Sequence, residues 1–134
     1  MNGDSTVRSV REAWRDLLEE FRPPHSDSDP YTPAMWALLQ VAVRDPLLST
    51  LYPGLSTTML TLSRFDDYRL RDGECFPVIG AAAGEFGVSA YPVSEDNLLL
   101  VTSDPAQAVT LAARLIRDRL HAIAASDGRA PWSG

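Results

Sequence analysis

The sequence predicts an α+β fold from three observations: helical periodicity in its first third, short apolar runs punctuated by turn residues in its middle, and one long amphipathic helix at its end. Strands grouped between helices predict an antiparallel pattern, so the expected architecture is a four-stranded, mainly antiparallel sheet with three helices, in the order ααββββα. With 134 residues the chain has the size of one domain, read as residues 1–125 followed by a C-terminal tail over 126–134.

From Val7 to Phe21, apolar residues recur at steps of three and four (Val7, Val10, Trp14, Leu17, Leu18, Phe21), with charges between them. This is an amphipathic helix, with Asp4 and Ser5 available as caps and Pro23-Pro24 ending it. A polar linker, residues 25–30, leads to Thr32-Pro33, read as a cap followed by proline at the first helical position. The helix that follows carries Met35, Trp36, Leu38, Leu39, Val41 and Val43 and is apolar almost all round. Such a helix is either the central buried one or one that buries a second face in a partner subunit, and a chain this short favours a homodimer through this helix. Asp45-Pro46 repeats the cap signal for one further turn ending before Tyr52-Pro53-Gly54, which reads as a turn.

A strand is then expected where Thr58, Leu60 and Leu62 alternate against Thr57, Met59, Thr61 and Ser63. After a polar loop from Phe65 to Glu74, residues 76–82 and 86–91 flank Ala83-Gly84 as a hairpin, with Pro77 and Pro92 confined to ends or edges. Residues 97–102 carry an unbroken Leu98-Leu99-Leu100-Val101, the pattern of a strand covered on both faces. Asp104-Pro105 with Gln107 opens the last helix, whose buried stripe is Ala108, Leu111, Ala112, Leu115, Ile116, Leu120 and Ile123.

Composition removes several classes of function. The net charge of −6 opposes nucleic acid, whose binding relies on clustered cations. All twelve basic residues are arginine, so lysine Schiff bases and phosphate-loop lysines are excluded. The two histidines, His25 and His121, are distant from each other and from Cys75, the single cysteine; no metal is expected, and no cofactor motif occurs. Asp27 and Asp29 lack the glycine and closing glutamate of a calcium loop and read as a solvated linker. Both histidines are expected at the surface, and Cys75 is expected as a small buried apolar residue at a strand start. The N-terminus lacks a signal-peptide pattern and no apolar run approaches ~18 residues, so a cytoplasmic protein without membrane contact is expected.

One stretch concentrates polar side chains where they can face a cleft: Leu51-Tyr52-Pro53-Gly54-Leu55-Ser56, leading into Leu60-Thr61-Leu62-Ser63-Arg64. The plain alternative is that Tyr52-Pro53-Gly54 turns, Ser56 caps the turn and Arg64 ends the strand in water.

The segment Asp45-Pro46-Leu47-Leu48-Ser49-Thr50-Leu51-Tyr52-Pro53, Ser56, the strand Leu60-Thr61-Leu62-Ser63, the pair of strands around Phe76-Pro77-Val78-Ile79 and the closing Ala-rich helix together resemble a small bacterial family of natural-product biosynthesis proteins. The resemblance covers about Trp36 to Ile116. That family includes the lysinoalanine-forming proteins of cinnamycin- and duramycin-type lanthipeptide clusters. It implies a cofactor-independent tailoring protein that adds a lysine amine of a modified precursor peptide across a dehydroalanine. The family's serine is often followed by histidine; Thr57 stands there in this chain. On this reading Asp66 and Tyr52 are the catalytic candidates, Asp66 or Asp67 meets the amine, and Ser56, Thr57 and Arg64 bind the peptide and stabilise the developing enolate. A non-catalytic peptide-binding or chaperone-like dimer is the alternative.

Overall fold

The computed structural model describes residues 8–25, 29–66 and 74–129. Three α-helices, α1 (Val10–Phe21), α2 (Thr32–Ala42) and α3 (Pro105–Arg129), pack on a five-stranded sheet of β1 (Tyr52–Ser56), β2 (Met59–Ser63), β3 (Val78–Ala82), β4 (Glu85–Ser89) and β5 (Leu98–Thr102). The strands follow one another in a simple meander, every neighbour antiparallel. The class is therefore α+β as expected, with one strand more than the four expected.

The extra strand is β1, which the sequence presents as a turn. Its pairing with β2 runs from Tyr52↔Ser63 to Ser56↔Met59. Proline is tolerated there because β1 is a sheet edge, where an amide donor is not needed for a further ladder. The turn itself moves to Thr57-Thr58, and β2 starts at Met59 rather than at Thr57. Thr57 adopts φ 58°, a left-handed conformation strained for a β-branched residue.

Helix α1 starts at Val10 with Ser9 as its cap, because Ser9 and Glu12 form a capping box; the expected caps Asp4 and Ser5 lie outside the described residues. Their reciprocal bonds, Glu12 amide to Ser9 Oγ and Ser9 amide to Glu12 Oε1, are each 3.0 Å. At α2, Thr32 is the first helical residue instead of the cap. Tyr31 is the cap residue and makes no capping bond with its side chain; Asp29, read as a solvated linker residue, supplies the acceptor from outside the helix, its carboxylate accepting from the Tyr31 and Thr32 amides and from the Thr32 hydroxyl. Both carboxyls are held below the ordinary carboxylate range, Glu12 first by the Ser9 amide and Asp29 first by the Thr32 hydroxyl. A depressed folded-state pKa stabilises the fold above the unfolded value, near ~4, and the contribution is lost as pH falls through the depressed value. Far-UV circular dichroism is thus expected to lose helical signal as pH drops below about 4, and Glu12→Ala with Asp29→Ala, which remove both titrating groups, should flatten that loss.

All three helices cover one face of the sheet. α1 lies against β1, α3 against β3, β4 and β5, and α2 sits between them over β3. Leu60, Leu62, Ile79, Ala81, Phe86 and Val88 point from the strands into this layer. Met35, Leu38, Leu39 and Ala42 meet them from α2 and are buried. Ala34, Ala37 and Val41, with Val43 just past its end, pack on the same core, while Trp36 stays half-buried outside it. Most of the helix's all-round hydrophobicity is thus satisfied inside one chain, which weakens the observation that motivated a homodimer through α2.

β5 is not covered on both faces. It is the second sheet edge, and Leu98, Leu99 and Val101 are each about half exposed. Only Leu100 packs on the core. Cys75 is exposed with φ 55°, not buried. His25 is partly buried, its Nε2 2.7 Å from the Phe21 carbonyl, whereas His121 is exposed as expected. α3 continues to Arg129, past the expected tail boundary at 126, since no proline removes an amide donor before Pro131.

Candidate functional site

The β1–β2 hairpin separates the polar residues that the sequence groups together. Tyr52 sits opposite Ser63 at one end, and Ser56 sits opposite Met59 at the other, four residue steps or about 13 Å away along the strand. At the first end, Tyr52 Oη donates to the Arg8 carbonyl at 2.6 Å. Arg8 in turn forks onto Asp66, Nε to Oδ2 at 3.2 Å and Nη2 to Oδ1 at 3.0 Å, and reaches Asp16 at 3.3 Å. The Asp66 hydrogen bond is the main reason that the Arg8 pKa is raised. Tyr52 and Asp66 thereby tie the start of α1 to the sheet. Asp67 lies outside the described residues. Ser56 and Thr57 are exposed at the far end of the hairpin.

Arg64, just past the end of β2, is exposed as the plain alternative expects, but it is also tied to a buried carboxylate. Its Nε donates to Glu74 Oε2 at 2.8 Å and its amide donates to the same oxygen at 3.0 Å. The other carboxylate oxygen accepts from Ser63 Oγ at 2.6 Å, and Ser63 Oγ accepts from the Phe65 amide at 2.9 Å. Glu74 and Ser63 are 2 % and 0 % exposed, so this is a buried carboxylate with three donors rather than a surface pair. The guanidinium carbon of Arg64 also stands 5.2 Å from the Phe65 ring centre. Arg119 Nε of α3 donates to the Glu74 carbonyl at 2.7 Å. Nothing in local sequence signals Glu74, because its partners come from β2 and α3.

Above this network lies a groove of about 410 Å³ on the sheet face away from the helices. Met59, Thr61 and Val78 come from the strands, while Phe76-Pro77 and Tyr91 with Val93 stand along its sides. Ser56 is the member of the predicted set that lines it, beside Glu74 and Cys75. The lining is mainly apolar, which suits holding a ligand more than ionising one.

The groove continues into an apolar strip. Of the six large hydrophobic side chains exposed among the described residues, five fall between positions 91 and 101: Tyr91, Val93, Leu98, Leu99 and Val101. A Cβ on Gly87 would come within 3.3 Å of Leu98 Cδ1, which places the Leu98 side chain over Gly87 on the helix-free face. Sheet edges are ordinarily blunted by charge, proline or cover. β1 has Pro53 and is packed by α1; the five residues of β5, Leu-Leu-Leu-Val-Thr, have neither charge nor proline. The residues around it are acidic, with Glu85, Glu95 and Asp96 all exposed.

Among the described residues no group of three or more His, Cys, Asp or Glu side chains converges to hold a metal ion, and no helix is long and apolar enough to cross a membrane. No curated protein and no solved structure matches the chain. A family model does, over residues 8–126, which takes in α1, α2, the whole sheet and all but the last three residues of α3. The chain belongs to the family described as "Family of unknown function (DUF6193)".

Proposed function

We propose that the protein binds an extended, lysine-bearing peptide along the β5 edge and the adjoining groove, and that this is the binding step of a peptide-tailoring protein in ribosomal natural-product biosynthesis. The observation that carries the reading is the unprotected apolar edge, contiguous with a groove and ringed by carboxylates. An extended peptide can complete the β5 ladder through its backbone, place alternate side chains on Leu99, Val101 and Tyr91, and direct its ammonium groups to Glu85, Glu95 and Asp96.

The tailoring reaction implied by the family resemblance is addition of a lysine amine to a dehydroamino acid of the same peptide. The nitrogen–carbon bond forms as the alkene π pair moves to the adjacent carbonyl, and the ammonium proton ends on the α-carbon. The electrophile belongs to the peptide, so the protein's task is to bring amine and alkene together, a contribution of up to about 7–11 kcal/mol from orientation. Ser56, on the groove rim, is placed to hydrogen-bond the peptide there. Tyr52 and Asp66, held by Arg8, serve in this reading by fixing α1 against the sheet.

The experiment uses a fluorescently labelled dehydrated precursor peptide. Binding by anisotropy is expected, and Leu99→Lys and Val101→Lys should each weaken it by at least about tenfold, because a cation is placed at an edge that attracts cations. Unchanged affinity in both variants would refute the β5 site. A thiol challenge then separates tailoring from binding alone: cross-linking leaves the mass unchanged but removes the alkene that takes up the thiol. Full thiol uptake by bound peptide would leave the non-catalytic, chaperone-like reading.

A further inference from the structure

A second groove, on the opposite layer from β5, has the reverse electrostatic character. It lies between α1 and α2, encloses about 730 Å³, and is floored by Trp14 and Leu18 with Trp36 and Val43 as the α2 wall. Trp36 and Val43 are seven residues apart and Val10, Trp14 and Leu18 are four apart, so each helix presents one straight apolar row to the groove. Trp14 is fixed by its indole N–H, which donates to the Leu51 carbonyl at 2.9 Å. The floor is therefore formed without a ligand.

Along the α1 rim stand Arg11, Arg15 and Arg22. Arg11 and Arg15, four residues apart, share one stripe of α1, and Arg22, the residue that caps its C-terminus, stands beyond them, so the three spread over about 16 Å. Glu19 is the one carboxylate that lines the groove with them. In a chain of net charge −6, three arginines against one glutamate make a local inversion of charge. Their existing ties are light: Arg15 is 4.0 Å from Glu12, Arg22 is 2.8 Å from Glu19, and all four side chains are more than half exposed. Exposed pairs of this kind hold little energy and exchange partners readily. Arg11 makes no hydrogen bond or ion pair among the described residues.

We infer that the α1–α2 groove docks an acidic amphipathic helix of a partner, its apolar face on Trp36, Leu18 and Val43 and its carboxylates along the arginine stripe. This goes beyond the peptide reading at β5 and uses none of its residues. A helix fits better than a small acid because one carboxylate can meet only one point of a cationic row about three turns long. A helix fits better than an extended strand because the groove is walled by apolar side chains of two helices and offers no open backbone ladder. A second copy of this chain is disfavoured, since its α1 would bring the same arginines to the same rim.

The test is a panel of stapled three-turn helices with Leu, Phe or Trp on the apolar face and Glu, Gln or Lys at the flanking i and i+4 positions. Affinity is read by anisotropy of a label on the peptide, at low and raised salt. Glu versions are expected to bind at least about tenfold tighter than Gln versions, with the advantage shrinking as salt screens it. Lys versions should not bind. Arg11→Gln with Arg15→Gln should abolish the Glu preference, and Arg11→Glu with Arg15→Glu should transfer binding to the Lys panel. Both pairs lie on an exposed helix face, so circular dichroism should match the parent. Leu99→Lys should leave helix binding unchanged, which separates failure here from failure of the β5 reading. Equal affinity across Glu, Gln and Lys panels, no binding of any panel, or no response to the arginine changes would overturn the inference. So would stronger retention by phosphatidylglycerol vesicles or by decanoate than by the Glu helices, which would assign the stripe to lipid or to small acids.

Discussion

Glu74→Ala is expected to destabilise the protein by about 3 kcal/mol, although Glu74 belongs to no helix or strand. Its carboxylate takes the Ser63 hydroxyl, the Arg64 amide and Arg64 Nε. Removing it leaves the buried Ser63 hydroxyl and the part-buried Arg64 amide without their acceptor, and each such orphan costs about 1–3 kcal/mol. Arg64 itself recovers part of its loss, because its side chain is 38 % exposed and can turn to solvent. Glu74→Gln should restore little: one oxygen still serves one donor, but the new amide N–H group then faces a second donor. Ser63→Ala should cost less than Glu74→Ala, since the carboxylate keeps both Arg64 donors, though the Phe65 amide loses its acceptor. Urea unfolding of the three variants, with Arg64→Ala closing a double-mutant cycle, measures the coupling. A loss below about 0.5 kcal/mol for Glu74→Ala would mean that the carboxylate is solvated after all. The consequence for function is specific: Glu74-Cys75-Phe76-Pro77 forms one side of the groove, so loosening this anchor should weaken peptide binding at β5 beyond the loss in stability.

The residues show why some of this was readable in advance. Helices α1 and α3 carry their own periodicity over many residues, α3 also its Asp104-Pro105 start, and the β3–β4 hairpin carries its turn at Ala83-Gly84, where Gly84 takes φ 76°. Local chemistry decides each of these, so sequence reasoning finds them. β1 was hidden because Tyr52-Pro53-Gly54 has turn residues and becomes a strand only by pairing with β2, a tertiary contact that overrides local preference. β5 has the composition of a covered strand, and whether a strand is central or at an edge is a property of the whole topology. The candidate site fared worst for the same reason. Tyr52, Arg64 and Asp66 fall within one stretch of fifteen residues, yet Arg8 and Glu74 claim them for structural bonds, while Ser56 and Thr57 are carried to the other end of the hairpin. The groove's other walls, Phe76-Pro77 and Tyr91 with Val93, are brought to Met59 only by the order of the meander.

The position of α2 decides the second large effect. Leu38 is fully buried on that helix, packed in the core cluster that α1, α3 and the sheet all enter. Leu38→Ala removes three heavy atoms from a site with no path to water, and comparable truncations cost about 2–5 kcal/mol, the upper part applying where surrounding elements cannot collapse. Here α2 is held on both flanks and from below, so about 4 kcal/mol is expected, a large share of the ~5–15 kcal/mol that stabilises a domain of this kind. Urea unfolding should show a lower midpoint with an unchanged slope, because the same surface is exposed on unfolding. Protein concentration discriminates between the two roles that an all-apolar helix can have. If α2 is the centre of a single-chain core, the loss is the same at every concentration. A subunit seam would instead give a variant whose midpoint rises with concentration and whose parent dissociates on dilution. A concentration-independent loss is the expected result, and it would place α2 at the centre of a single-chain core rather than at a subunit seam.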